Sequence, residues 1–169
     1  VYDTLQAAVN AAATGQTVKI AAGNYTLNSE VVVNKAISIV GVDSDLANAT
    51  QDVVITGNPG GRNFVINANV SGTVSISGVK VLGGSEAVSL DGSTTAVSVT
   101  GLEVTNSTFA DQSNAGLVIG LNNPASNLSN LRVEGVVFDQ SLSAGKAVGS
   151  DDKKSMMYEG IMAFGFDGN

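Results

Sequence analysis

The chain has 169 residues, a net charge of −7, and neither Cys nor His. Without these two residue types it can form no disulfide, no thiolate or imidazole metal site, and neither a Ser-His-Asp nor a Cys-His catalytic arrangement. With only eight Lys and Arg residues it lacks the basic clusters that bind nucleic acid, and no apolar run is long enough to insert into a membrane. We therefore expect no nucleic-acid partner and no membrane insertion.

The first predicted element is an amphipathic helix over residues 3–13. Asp3 or Thr4 can serve as its N-cap. Its apolar residues recur at the spacing of one helix face, namely Leu5, Ala8, Val9 and Ala12. Gly15 follows the helix, and a left-handed residue of this kind commonly marks a helix end.

Beyond residue 16 the apolar period changes to two, which is typical of strands. Val18 and Ile20 alternate with polar residues, a turn follows at 22–24, and short apolar runs occupy 31–33 and 37–40. The 20 Gly residues, together with Ser, Thr and Asn between these runs, indicate many turns. This part of the chain is therefore predicted to be all β.

One sequence pattern recurs at 76–83, 99–106 and 128–135, so that successive copies are offset by 23 and then by 29. Each copy has the order apolar, x, Gly or Asn, apolar, x, apolar, x, Gly or Asn. Further matches at an offset of 29 are Phe109 with Phe138 and Gly116 with Gly145. A repeat of this length is typical of solenoids, in which each copy forms one coil about 4.8 Å above the last.

The Gly and Asn positions of the repeat are interpreted as corners, because these residues tolerate positive φ. One column contains Gly78, Gly101 and Asn130, and the other contains Gly83, Asn106 and Gly135. The apolar columns expected to stack in the core are Val79, Leu102 and Leu131, and Val81, Val104 and Val133. The extra residues of the longer repeat are assigned to a loop around 121–125. Two earlier copies, 37–41 and 53–57, are too close in sequence for one full coil, so we expect them on different faces.

These features predict an all-β fold, a right-handed parallel β-helix with an N-terminal capping α-helix. The whole chain is expected to form one domain, with the helix at about 3–13 and coils from about 17 onward. No second cap follows the strand-like segment 160–164, so we expect a following part of the protein or another chain to cover that edge.

Four segments at the start of the chain, 4–12, 15–20, 22–25 and 37–41, carry a resemblance to a known family. Their order of helix, Gly-x-Thr-Val stretch, Gly-x-Tyr turn and strand resembles the opening of the pectin-lyase-like β-helix superfamily. Gln16 stands where that superfamily often has Asp, and Ala22 where it often has Pro. The resemblance implies a capped β-helix but no single activity, because the superfamily includes lyases, hydrolases, esterases, epimerases, phage tailspikes and non-enzymatic surface proteins.

Two sets of residues are candidate ligand or glycan contacts. The first set, expected to form one outward column of equivalent positions, is Lys80, Glu103 and Arg132. The second set, which follows the matched Phe residues and could bind sugar hydroxyls or Ca²⁺, is Asp111, Gln112, Asp139 and Gln140. The alternative interpretations are surface ion pairing for the first set and a repeated polar corner for the second.

Asp151 and Asp152 are candidate Ca²⁺ ligands within the polar run 149–155, for which a solvated loop is the alternative interpretation. No catalytic residue and no other cofactor is assigned. The hydrolase and methylesterase motifs of the superfamily, Asn-Thr-Asp, Gly-His-Gly and Gln-Asp-Thr-Leu, are absent from the sequence, and there is no Trp on which a sugar could stack.

We therefore expect an extracellular or cell-surface β-helix module with a structural, adhesive or glycan-binding role and no catalysis of its own. Its expected partners are a polysaccharide, and either a second copy of the chain or a following domain at the C-terminal edge. One alternative is the N-terminal portion of a polysaccharide lyase, esterase or epimerase. Another is a phage tailspike or a filament component that assembles by stacking.

Overall fold

The computed structural model describes residues 1–42, 52–139 and 159–165. These residues form one short helix and fifteen strands. Their bounds are α1 Leu5–Ala11, β1 Thr17–Ile20, β2 Gly23–Thr26, β3 Val31–Val32, β4 Ser38–Gly41, β5 Val53–Thr56, β6 Phe64–Ile66, β7 Val70–Ser77, β8 Val79–Leu82, β9 Glu86–Asp91, β10 Ser98–Thr105, β11 Thr108–Ala110, β12 Ala115–Gly120, β13 Asn127–Glu134, β14 Val137–Asp139 and β15 Glu159–Phe164. Four residues used in the predictions, Gln140, Gly145, Asp151 and Asp152, lie outside the described residues.

The described strands form three parallel sheets of five strands each. Sheet A has the order β1-β4-β7-β10-β13, sheet B the order β2-β5-β8-β11-β14, and sheet C the order β3-β6-β9-β12-β15. Consecutive strands of the chain therefore belong to consecutive sheets, and every third strand returns to the same sheet. The result is an all-parallel β-solenoid with a helix at its N-terminal end, which confirms the predicted fold class.

The core consists of apolar columns that run along the solenoid axis. One column in sheet A, joined by the strand registers, contains Val18, Ile39, Ile76, Val104 and Val133. Its three middle members have no exposed surface. In the strands of sheet A side chains alternate between the two faces, so the members of this column point inside. Burial of one such side chain contributes about 1.5–3 kcal/mol, so the columns are the main source of stability.

The helix is shorter than predicted. Of the two predicted N-caps, Thr4 is the one observed, and its hydroxyl accepts a hydrogen bond from the backbone N–H of Ala7 at 3.1 Å. The chain leaves the helix at Ala12, whose backbone is extended. Gly15 has the expected positive φ of 83°, but it lies in the turn before β1, where its N–H donates to the carbonyl of Ala36.

The helix closes the first coil at sheet C. The side-chain amide of Gln6 accepts a hydrogen bond from the backbone N–H of Val32 at 2.6 Å and donates to the carbonyl of the same residue at 3.2 Å. It thereby satisfies edge groups of β3 that would otherwise be open to another strand. Lys35 donates to the carbonyls of Asn10 and Ala12, each at 3.0 Å, and so supports the C-terminal end of the helix.

The corner between sheets A and B is a column of Gly and Asn, but its composition differs from the prediction. The strand registers align Gly41, Gly78, Asn106 and Gly135. Gly78, Asn106 and Gly135 have positive φ values of 67°, 47° and 63°. Gly41 is needed for space instead, because a Cβ there would overlap the carbonyl oxygen of Gly78.

Gly101 and Asn130 were wrongly assigned to corners. Both lie inside strands, β10 and β13, where they are register partners of each other. The second corner, between sheets B and C, is formed at Gly83 and at Asp111, with φ values of 73° and 63°. A Gly within a strand and a Gly at a corner look alike in sequence, since each follows a short apolar segment.

The repeat offset of 29 is confirmed by the pairing of Val104 with Val133, whereas the offset of 23 is wrong. In the preceding coil Val104 pairs with Ile76 and not with Val81. The first sequence copy, 76–83, turns the corner from β7 to β8, whereas the second copy, 99–106, lies almost wholly in β10. The apolar pattern on the two sides of a corner is similar, and this similarity produced the false alignment.

Coil length varies strongly along the solenoid. The first coil is short, since Thr17 already pairs with Ser38 one coil later, and the last described coil is much longer, since Ala115 pairs only with Glu159. The latter register aligns Gly116 with Gly160, so its predicted match with Gly145 is wrong.

The loop at 121–125 and the two early copies of the repeat were also predicted from the sequence. The segment 121–125 is a loop as expected, but it is no insertion, because an equivalent segment precedes β10. The early copies 37–41 and 53–57 do lie on different faces, in sheets A and B.

Candidate functional surface

The outer face of sheet A is a regular polar surface. One outward column contains Thr17, Ser38, Ser75, Glu103 and Arg132, and the next contains Lys19, Val40, Ser77, Thr105 and Glu134. Neighbouring members of a column are about 4.8 Å apart, and the two columns are about 6.7 Å apart along the strands. These side chains therefore stand on a nearly rectangular grid across five strands, and all of them except Val40 are polar.

The hydroxyl groups in the middle of this face are available to a ligand. Ser75, Ser77 and Thr105 are half-buried, and their hydroxyls make no hydrogen bond to other described residues. Each hydroxyl can both donate and accept a hydrogen bond. Three such groups on adjacent strands of a rigid sheet form a preorganised hydrogen-bonding surface.

Charged residues are concentrated at the C-terminal side of the same face. Glu103 and Arg132 are register partners on β10 and β13, as the predicted column requires. Arg132 also donates to Glu134 at 2.6 Å, with both side chains more than half exposed. Exposed pairs of this kind add only about 0–1 kcal/mol to stability. The fold therefore does not depend on these side chains, and they can contact a ligand instead.

Lys80 does not belong to this column, so its predicted place beside Glu103 is wrong. Its register partners are Val54 and Thr108, and it lies on β8 in sheet B. The incorrect offset of 23 had placed it in sheet A.

The second predicted set is divided between surface and core. Asp111 stands at a corner with positive φ, and Asp139 ends β14 beside Ala110 rather than beside Asp111. Gln112 is completely buried, and its amide donates to the carbonyls of Val81 at 3.1 Å and Gly83 at 3.2 Å. A buried amide that holds the backbone of the preceding coil is not accessible to a glycan.

Asn63 supports the same corner from the other side. It is fully buried, its amide nitrogen donates to the carbonyls of Gly83 and Glu86, and its oxygen accepts from the backbone N–H of Asn58. Asn63 and Gln112 therefore converge on the carbonyl of Gly83. These two amides add side-chain hydrogen bonds to the backbone carbonyls at this corner, and that is a structural role.

An ion cluster that the sequence interpretation missed connects three coils. Arg62 donates to Glu30 at 2.9 Å and to Asp91 at 2.6 Å. All three side chains are about one-third exposed. The hydrogen bond from Arg62 lowers the pKa of Asp91, partial burial opposes this effect, and the backbone N–H of Ser93 adds to it. The sequence separations of 32 and 29 residues are close to one coil each, and this spacing could have identified the cluster.

A cavity of about 400 Å³ lies beside the capping helix. Its walls are mainly apolar and include Tyr2, Leu5, Val18, Ile20 and Tyr25. Tyr25 uses its hydroxyl to donate to the carbonyl of Ala21 at 2.8 Å, so its ring is held at the rim. The walls offer few polar groups that could fix a ligand.

Within the residues that the structure describes, no three potential metal-ligating side chains form a group, and no helix is long and apolar enough to span a membrane. No protein-family model matches the chain. The comparison with curated proteins also found no match.

Proposed function

We propose that this chain is a non-catalytic glycan-binding module of the extracellular space or the cell surface, and that the outer face of sheet A contacts the glycan. The observation that carries the proposal is the group of hydroxyls at Ser75, Ser77 and Thr105, which make no hydrogen bond within the described part of the chain. An extended polysaccharide presents hydroxyls at regular intervals, and a flat parallel sheet presents complementary donors and acceptors at regular intervals.

Charge favours a neutral polysaccharide as the ligand. The chain carries a net charge of −7, which disfavours long anionic polymers. On the grid itself, Lys19 and Arg132 balance Glu103 and Glu134. The face therefore offers hydrogen bonds without a strong field of one sign.

The resemblance of the opening segments to the pectin-lyase-like superfamily supports the proposal, and we include membership of that superfamily in it. The superfamily contains both polysaccharide-active enzymes and non-enzymatic surface proteins. The missing His and the missing superfamily motifs favour the second group. The extracellular or surface location follows from the proposed ligand, because structural polysaccharides are found there.

The test is a screen of the purified chain on an array of neutral and anionic glycans, with mass analysis of every bound sugar. We expect binding to a neutral glycan with unchanged mass. Cleavage or chemical modification of a bound sugar would instead establish the enzyme alternative. Binding to anionic glycans alone would contradict the charge argument.

The site is tested by a double variant, Ser75→Ala with Ser77→Ala, which removes two hydroxyls from sheet A. Each lost hydrogen bond contributes about 0.5–1.5 kcal/mol, so we expect affinity to fall about tenfold. The matched control is Thr26→Ala with Thr56→Ala, two exposed hydroxyl residues that are register partners on sheet B. If the control weakens binding as much as the sheet A variant, the assignment to sheet A is wrong.

A further inference from the structure

The last described coil exposes apolar side chains whose register partners in the preceding coil are buried. Leu131 on β13 is 46% exposed, whereas its register partner Leu102 is 1% exposed. Ile161 on β15 is 43% exposed, whereas its partner Leu117 is fully buried. Within the described part of the chain, the edges of β13, β14 and β15 have no strand beyond them. Unpaired edge groups next to exposed apolar side chains form a surface that favours pairing with another chain.

At the opposite end of the solenoid, the capping helix blocks the edge of sheet C. There α1 lies against β3, and Gln6 occupies both the N–H and the carbonyl of Val32. Head-to-tail stacking of copies would have to displace this helix. A contact between two C-terminal ends, related by a two-fold axis, leaves both helices in place and gives a closed dimer.

The charges on β13 have the symmetry that such a contact requires. Arg132 and Glu134 point outward on either side of Val133, which points into the core. In an antiparallel pairing centred on Val133, Arg132 of each copy stands opposite Glu134 of the other. Directly opposite residues of antiparallel strands lie on the same face, so the two Val133 side chains meet inside while both ion pairs form outside.

We propose that the exposed edge of the last coil is a homodimer interface, in which β13 pairs with β13 of a second copy in antiparallel register about Val133. A two-fold axis through this point and perpendicular to the solenoid axis places β14 of one copy against β15 of the other. Leu131 and Ile161 then become buried on both copies. The interface shares Arg132 and Glu134 with the grid on sheet A but none of its middle hydroxyls, so the variants at Ser75 and Ser77 test the glycan site separately.

The experiment is analytical ultracentrifugation of the whole chain over a wide range of concentrations. We expect a monomer–dimer equilibrium, in which those amides of 127–134 that point away from β10 are protected from hydrogen exchange only in the dimer. A monomer at every concentration overturns the proposal, because the edge then needs no second copy. Protection in the monomer of the amides that point away from β10 also overturns it, because another part of the chain then covers this edge.

Charge variants test the register. Arg132→Glu and Glu134→Arg each place like charges opposite one another at two positions, so each variant alone should raise the dimer dissociation constant about tenfold or more. An equimolar mixture of the two variants should form a heterodimer as tight as the parent dimer, because both contacts become Glu opposite Arg. Lys19→Glu is the matched control, because it makes the same charge change as Arg132→Glu at an exposed side chain on β1. It should leave the dimer dissociation constant unchanged.

Circular dichroism establishes that the variants are folded before they are compared. A dimer that tolerates Arg132→Glu and Glu134→Arg, or a mixture that fails to restore association, overturns the antiparallel register. Weakening by Lys19→Glu to the same extent would assign the effect to net charge and would also overturn it.

Discussion

Replacement of Arg62 by Met is the sharpest test of what holds successive coils together. Met keeps most of the side-chain length but removes the charge and all five donors. Two charge-assisted contacts are lost, to Glu30 at 2.9 Å and to Asp91 at 2.6 Å, with all groups about one-third exposed. An exposed pair contributes up to about 1 kcal/mol and a hydrogen bond to a charged group about 1.5–3 kcal/mol. At this intermediate exposure we expect about 1 kcal/mol for each contact, and about 2 kcal/mol in total.

Thermal unfolding followed by circular dichroism measures the effect. For a chain of this size a loss of about 2 kcal/mol lowers Tm by about 4–8 °C. The matched control is Lys19→Met, which removes a positive charge from an exposed side chain and should change stability by about 0.5 kcal/mol or less.

Measuring the stability of the parent protein and of Arg62→Met at acid pH adds a second check. The pKa of Asp91 in the folded protein is lowered from its ordinary value of 3.8, chiefly by the hydrogen bond from Arg62. The stabilisation by this carboxylate is therefore fully present above that pH, and it is lost as the pH falls through the lowered pKa. The difference between parent and Arg62→Met should shrink over that acid range. Equal stability of the two proteins at neutral pH would refute the view that the cluster clamps three coils.

Two further substitutions test the corners and the cap. Gly41→Ala should destabilise the fold by about 2 kcal/mol or more, because its Cβ would overlap the backbone carbonyl of Gly78. The control Gly60→Ala, at a φ of 70° with open space around it, should cost only about 1 kcal/mol. Chemical denaturation measures both free energies of unfolding, and a larger loss for Gly60→Ala would contradict the spatial argument. Gln6→Ala leaves the N–H and carbonyl of Val32 without their amide partner and should lower the free energy of unfolding by about 1–3 kcal/mol. The backbone amide of Val32 should then exchange faster with solvent, and unchanged exchange would show that the Gln6 amide contributes nothing to the cap.

The sequence was sufficient to predict the architecture because the solenoid repeats its apolar columns. The predicted matches of Val104 with Val133 and of Phe109 with Phe138 reproduce the observed registers. The capping helix was also predictable, from the spacing of Leu5, Ala8 and Ala12 and the hydrogen-bonding ability of Thr4.

The register of the preceding repeat could not be obtained in the same way. A coil has three similar sides, and the pattern apolar, x, apolar occurs on each of them. The segment 79–81 therefore matched 102–104 in sequence, although the two segments belong to sheets B and A. Only the hydrogen-bond partners distinguish the sides, and those depend on residues one coil away.

The candidate surface was predictable only in part. Glu103 and Arg132 could be placed side by side because they lie in the correctly aligned repeat. Gln112 could not be recognised as buried, since polar residues after a strand are usually exposed, and its burial depends on the hydrogen bonds that its amide donates to the carbonyls of Val81 and Gly83. The hydroxyls of Ser75 and Ser77 were missed because their relation to Thr105 requires the register of β7 with β10.

The unequal coils, short between Thr17 and Ser38 and long between Ala115 and Glu159, also determine how such a chain can change during evolution. A strand in a solenoid contacts only the coils directly above and below it. Insertions and deletions at a corner therefore leave every strand register intact. Descendants of one ancestor can drift apart in length at each corner while their strands keep the same columns. Alignments of such descendants break into pieces as short as a single strand, so relatives of this chain should be sought by the spacing of buried residues within each strand rather than by continuous identity.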